Sequence, residues 1–134
     1  MQTTTDIMTR NVVTIGPNQT LSQAVDALLD NEISGLLVVE ADGRLVGVIS
    51  EFALLAIAYD PDSREHPVRD HMTRDVISIS LTTSLSEIAD TFIVRRIRRL
   101  PVVDNGRLVG VISRRDVLRA ATHHGVLISN AVPV

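Results

Sequence analysis

The string Gly-Arg-Leu-Val-Gly-Val-Ile-Ser occurs twice, at residues 43–50 and again 63 positions later at 106–113. Eight identical residues in a chain of 134 constrain the fold more than any other feature. One unit has been duplicated, and the octet is the part least free to vary between copies. Outward from it, Asp6-Ile7-Met8-Thr9-Arg10 matches Asp70-His71-Met72-Thr73-Arg74, and Val12-Val13-Thr14-Ile15 matches Val76-Ile77-Ser78-Ile79. Across residues 6–40, 43–50 and 51–58 the copies agree at 23 of 51 positions, so the repeat is the architecture.

Each copy reads as β-α-β-β-α. The β-branched strings at 12–15 and 76–79 predict short strands. Thr20-Leu21-Ser22-Gln23 and Ser84-Leu85-Ser86-Glu87 fit the capping box S/T-x-x-E/Q, so helices are expected through about Asn31 and Arg95. Ala24, Leu28 and Leu29, like Ile88, Phe92 and Ile93, supply their apolar stripes. The runs at 36–39 and 100–103 predict strands buried on both faces. Asp42-Gly43 and Asn105-Gly106 predict hairpin turns into third strands at 45–49 and 108–112. Second helices start at Ser50 and Ser113 and end near Tyr59 and Thr122. The domain reading is repeat 1 over 7–59, a linker over 60–69 with Pro61 and Pro67, repeat 2 over 70–124, and a tail over 125–134. Each repeat is small for an independent core. The expected fold is therefore α/β in the α+β sense: two repeats packed sheet to sheet about a pseudo-twofold axis.

Composition narrows the function classes. With 45% hydrophobic and 22% charged residues the chain is globular. No stretch reaches the length of a membrane span, and the first residues do not read as a signal peptide. There is no cysteine, which excludes disulfides, thiolate metal sites and a cysteine nucleophile and makes a cytoplasmic location the default. All 13 basic residues are arginine. Nine lie in residues 70–124 beside six acids, against four beside ten acids elsewhere, so the second copy is electropositive and the first acidic. No G-x-S-x-G, phosphate loop or paired helical histidines appears, and the reading is non-enzymatic. His123-His124 adjoin, and with His66 and His71 they give no ligand spacing, so no metal is expected.

After the octet the copies part: the second continues Arg114-Arg115-Asp116, the first Glu51-Phe52-Ala53. A serine at a strand-to-helix junction places its hydroxyl beside helix N-terminal N–H groups, which favour a phosphate. Asp116, one turn in, could accept hydrogen bonds from both hydroxyls of a ribose. Ile112 and Val102 could wall a purine, and Arg98, Arg99, Arg114 and Arg115 stand where they can meet phosphates. The same Ser-x-x-Asp pattern is a capping-box variant that could simply start a helix. Ala53 leaves the first copy without the acceptor. The string Arg95-Arg96-Ile97-Arg98-Arg99 reads either as a solvated helix end or as a phosphate clamp. The apolar stretch 52–59 points to a dimer face.

Residues 6–124 resemble a tandem pair of CBS domains, a Bateman module. The likeness rests on the element order, on Arg99-Leu100-Pro101-Val102-Val103-Asp104, and on Gly110-Val111-Ile112-Ser113-Arg114-Arg115-Asp116, which fits the family's ribose-phosphate signature G-h-h-S/T-x-x-D. The resemblance implies a regulatory module binding an adenosine-containing ligand between the copies. AMP, ADP or ATP is expected first, NAD or S-adenosylmethionine otherwise, with no cofactor required. It carries Thr20, opening the first helix of the opposite copy, into the site with Pro101, Val102, Ile112, Ser113 and Asp116. A weaker second site would use Ser84, Ile49 and Ser50. It also implies a homodimer, with a separate target protein to receive the signal. The alternatives are a constitutive dimerisation scaffold with a vestigial pocket and, less favoured for an acidic chain poor in aromatics, a nucleic-acid-binding regulator.

Overall fold

The computed structural model describes residues 3–123; His124 and the tail expected over 125–134 lie outside the described residues. The elements run α1 (Thr4–Ile7), β1 (Thr14–Ile15), α2 (Leu21–Asn31), β2 (Gly35–Val39), β3 (Leu45–Ser50), α3 (Glu51–Ile57), α4 (Leu85–Arg95), β4 (Arg99–Asp104), β5 (Arg107–Ser113) and α5 (Arg114–His123). Two 3-10 turns, Pro61–Ser63 and Val68–Asp70, interrupt the linker. Helices and small sheets are mixed, as the α+β reading expects. The described chain forms two compact units: a first of residues 12–77 with 105–108, and a second of residues 3–11, 78–104 and 109–123.

In the first unit β1 lies parallel to β2 (Thr14 opposite Leu37), and β2 antiparallel to β3 (Leu36 opposite Ile49). The helix α2 packs Leu21, Ala24 and Leu28 into the core with Leu36, Val38, Ile49 and Leu54. Buried positions at i, i+3 and i+7 make one stripe. Leu29, assigned to that stripe from sequence, falls off it and is 72% exposed. Its counterpart Ile93 is 73% exposed for the same reason. The strand β2 alternates between buried and half-buried residues, so the expectation of burial on both faces fails there. It holds better on β4, where Leu100, Pro101 and Val102 are consecutive buried residues.

The strings read as first strands are mostly not strands. Only Thr14 and Ile15 join a ladder, and in 76–79 only Ile79 does, through a parallel bridge to Val102. β-branched residues make a strand only where a neighbour offers ladder partners; Val13 and Ile77 have none and are exposed. In the second unit β4 and β5 form a two-stranded sheet. Met8, Ile79, Ile88, Phe92, Leu100, Val102 and Ile112 build its core.

Met8 belongs by sequence to the first repeat, yet it packs in the unit built mainly from the second. Met72 does the converse. Thr9 and Val111 exchange backbone bonds of 2.8 and 2.9 Å, and Thr73 and Val48 do the same at 2.8 and 2.9 Å. This exchange explains a glycine in each octet. A Cβ on Gly110 would stand 2.6 Å from Met8 Sδ, and one on Gly47 would stand 2.6 Å from Met72 Sδ. The octet's other glycines do turn work: Gly43 (φ 93°) and Gly106 (φ 79°) occupy the left-handed region that glycine tolerates. The second turn is shorter, with Asn105 also at positive φ (53°). That difference is why the copies are offset by 64 residues before the turn and 63 after it.

The linker is a strap. The Leu21 and Ser22 N–H groups at the start of α2 donate to the carbonyls of His66 (3.0 Å) and Arg64 (3.1 Å). The N–H of Val68 donates to the Gln19 carbonyl at 2.8 Å, and the Val68 side chain is fully buried. Helix N-terminal amides that nothing inside the helix can satisfy are thus closed by residues distant in sequence.

Candidate functional site

The octet ends where β5 becomes α5, and the site is built on that junction. Ser113 Oγ accepts the Asp116 N–H at 3.1 Å, and Asp116 Oδ2 accepts the Ser113 N–H at 2.8 Å. This is a complete capping box, the structural role the sequence left open for Ser-x-x-Asp. Capping leaves the carboxylate with acceptor capacity, because two oxygens offer about four lone-pair sites. Its second oxygen, Oδ1, faces Arg119 Nη1 at 3.5 Å, with the Asp116 side chain 15% exposed and Arg119 well exposed. Arg119 escaped the sequence reading, although an i,i+3 Asp-Arg spacing on one helix face is the signal that finds it.

The first copy is an internal control. Ser50 Oγ accepts the Ala53 N–H at 3.2 Å, and no side chain returns the bond. The helix forms without the carboxylate. Ala53→Asp should therefore complete a capping box and raise stability by about 0.5–1 kcal/mol, read as a higher denaturation midpoint at unchanged slope.

At the α2 start Thr20 makes the box read from sequence: its Oγ1 accepts from Gln23 N–H at 3.1 Å, and Gln23 Oε1 accepts the Thr20 N–H at 2.9 Å. Ser84 makes only half of the corresponding box, accepting from Glu87 N–H at 3.2 Å. Arg98, Ser113, Arg114, Arg115 and Asp116 come together in the second unit, where the Arg114 N–H donates to the Arg98 carbonyl at 3.4 Å. Arg99 opens β4 and is exposed. Thr20, Ile49 and Ser50 belong to the first unit. Val102 and Ile112 are fully buried, as is Ile49, and Pro101 is buried too. These side chains are committed to core packing and are not open walls.

His66 and His71 do meet: Nδ1 of one lies 3.1 Å from Nε2 of the other, with the rings 6° from parallel. No group of three or more metal-ligating side chains occurs among the described residues. The helix α3 stops at Ile57, short of the expected end near Tyr59, which is 90% exposed. Phe52 is 81% exposed on the same helix. Between α2 and α3 runs an apolar groove of about 190 Å³ lined by Val25, Leu28, Leu29, Ile33, Leu54 and Leu55. Among the described residues no helix is long and apolar enough to cross a membrane.

A family model described as "CBS domain" matches residues 5–60 and 68–123. The chain belongs to the CBS domain family. It carries two CBS repeats in tandem, as the sequence signature implied. CBSX2 of Arabidopsis thaliana, a CBS-pair protein with a crystal structure in complex with AMP, superposes with a TM-score of 0.82 at 31% identity. The match covers 92% of this chain and 98% of that one. The CBS domain-containing protein YhcV of Bacillus subtilis is 32% identical over 119 residues, 87% of this chain and 84% of YhcV. Inosine-5'-monophosphate dehydrogenase of Methanocaldococcus jannaschii is 32% identical over 115 residues, 85% of this chain. The chain spans 22% of that enzyme, and 41% of a second protein from the same archaeon to which it is 32% identical.

Proposed function

We propose that this CBS pair is a non-enzymatic regulatory module that binds an adenosine-containing ligand at the β5–α5 junction. The observation that carries the reading is the Asp116 carboxylate, mostly buried yet with Oδ1 engaged, among the described residues, only by an exposed arginine. A ribose presenting two adjacent hydroxyls would displace Arg119 at little cost, since exposed ion pairs contribute at most about 1 kcal/mol. The Ser113 hydroxyl and the start of α5 serve the phosphate. The Val102 and Ile112 side chains are spent on the core and Pro101 is buried beside them. The AMP complex of CBSX2 supports an adenosine ligand. A second site at Ile49 and Ser50 is weaker because Ala53 supplies no acceptor.

The exposed α3 face and its groove support a homodimer, and a cytoplasmic location with a separate target protein completes the reading. Signalling requires the ligand to prefer one of two packing states. The capping box also favours the other reading, a dimerisation scaffold whose pocket is vestigial, because Ser113 and Asp116 already have a structural task. Calorimetry and thermal shift with AMP, ADP, ATP, NAD and S-adenosylmethionine decide between them. A true ligand at a hundredfold excess over Kd stabilises the fold by about 2.7 kcal/mol. If none of the five shifts the melting curve, the scaffold reading stands.

A further inference from the structure

The strap, α2 and α3 frame a second hollow in the first unit, which the adenosine reading leaves unused. Its volume is about 260 Å³. Buried Leu21 and Leu54 and half-buried Val25 and Ile57 give it an apolar lining. Its polar lining comes from Ser22 and Asp26, about one turn apart on α2, and from Ser63 and Arg64 on the strap. The apolar groove that supports the dimer shares Val25 and Leu54 with it, but has none of these four polar residues.

The strap wall is held in place. Ser63 is 3% exposed, and its hydroxyl is shared between the carbonyls of Asp60 at 2.7 Å and Ile57 at 3.0 Å. The bond from the Ser22 N–H to the Arg64 carbonyl ties the arginine's backbone to α2. The lining is therefore positioned before any ligand arrives, which lowers the cost of binding. Its charges are also unspent. Arg64 has Asp60, Asp62 and Glu65 as sequence neighbours, yet among the described residues it forms no ion pair with them or with Asp26. The Asp26 carboxylate and the Ser22 hydroxyl likewise have no hydrogen-bond partner among the described residues. The second copy repeats the α2 side, with Leu85, Ser86 and Asp90 at the positions of Leu21, Ser22 and Asp26. Where the strap has Ser63 and Arg64, that copy carries Val126 and Leu127 in sequence, so the cation is peculiar to the first copy.

We propose that this hollow is a second ligand site, for a small zwitterion with an apolar side chain: a free amino acid such as leucine, isoleucine, valine or methionine. Arg64 takes the carboxylate, which a planar guanidinium matches in bidentate fashion. Asp26 takes the ammonium, and the apolar side chain lies on Val25, Leu54 and Ile57. The volume falls just below the roughly 300–1,000 Å³ of pockets for drug-sized ligands, which suits a smaller metabolite. A nucleotide does not suit it, because one arginine beside one aspartate gives no net positive charge.

Calorimetric titration of the full chain with L-leucine, isoleucine, valine and methionine, without nucleotide, tests the proposal. At least one should bind, with one site per chain. Leucinamide, which lacks the carboxylate, and isocaproate, which lacks the ammonium, should each bind at least about tenfold more weakly than leucine. Arg64→Ala and Asp26→Asn should each weaken leucine by about tenfold or more, with Arg64→Lys intermediate because it keeps the charge without the fork. Ligand-free melting temperatures of these variants should stay within about 2 °C of wild type, since both side chains are exposed and unpaired. Leucine binding undiminished in both variants overturns the site, as does leucinamide or isocaproate binding as tightly as leucine. Failure of all four amino acids to bind at millimolar concentration overturns it too. The nucleotide titrations decide the adenosine reading separately.

Discussion

Asp116→Ala should weaken the tightest-binding adenosine ligand by about a hundredfold or more. The estimate follows from two hydrogen bonds to a charged acceptor, each contributing roughly 1.5–3 kcal/mol, with about 1.4 kcal/mol per tenfold in affinity. Its folded state should survive, because α3 shows the same helix start running on Ser50 alone with Ala53 in the acid's place. The cost of losing half a capping box is about 0.5–1 kcal/mol, a shift of a few degrees in Tm. Asp116→Asn separates the two roles. Its amide oxygen still accepts the Ser113 N–H, so the cap is kept while the charge is lost, and binding should weaken by an intermediate factor. Calorimetry checks the affinities, and thermal unfolding without ligand checks the fold. Binding of the Ala variant at wild-type affinity would remove Asp116 from the ribose and leave it a helix cap.

Most of the fold was legible because its signals are local. The α2 and α4 boundaries follow from caps at Thr20 and Ser84, and the β-β turns from glycines that must adopt positive φ. What escaped depends on non-local partners. Residues 12, 13, 76 and 77 have strand composition, but a ladder needs a neighbour. Leu29 and Ile93 are apolar, yet the helix rotation set by Leu28 and Phe92 turns them outward. The strap formed by Arg64, His66 and Val68 looks like an ordinary proline-bearing linker, because its work is done by carbonyls and one valine. At the candidate site, Ser113 and Asp116 were readable from the divergence after the octet. The burial of Val102 and Ile112 was not, since an apolar strand residue reads the same whether it faces a ligand or a core. The exchange of Met8 and Met72 was invisible for a related reason: the repeat shows which residues correspond, while contacts decide which unit each one packs in.

That exchange sets the second large effect. Gly110→Ala should destabilise the chain by about 1–3 kcal/mol, the range for overpacking a close contact, and lower Tm by several degrees. The new Cβ would meet Met8 Sδ at 2.6 Å and the Thr9 carbonyl at 3.0 Å. A thioether can swing away, but a carbonyl held in a 2.9 Å bond from the Val111 N–H cannot. Met8→Ala alone opens a cavity beside Ile79 and Ile112 and should cost about 2–4 kcal/mol. Combined, the two substitutions should cost less than their sum by about 1 kcal/mol, because the added methyl enters space the methionine has left. The decisive comparison is Met8→Ala with Gly47→Ala. Packing within a sequence repeat would couple that pair, since Met8 and Gly47 lie in one copy. The exchanged packing couples Met8 to Gly110 and Met72 to Gly47 instead, so Met8→Ala with Gly47→Ala should be additive within about 0.5 kcal/mol. Denaturant unfolding of the three single variants and these two pairs provides the cycle, and coupling of Met8 to Gly47 would refute the exchange.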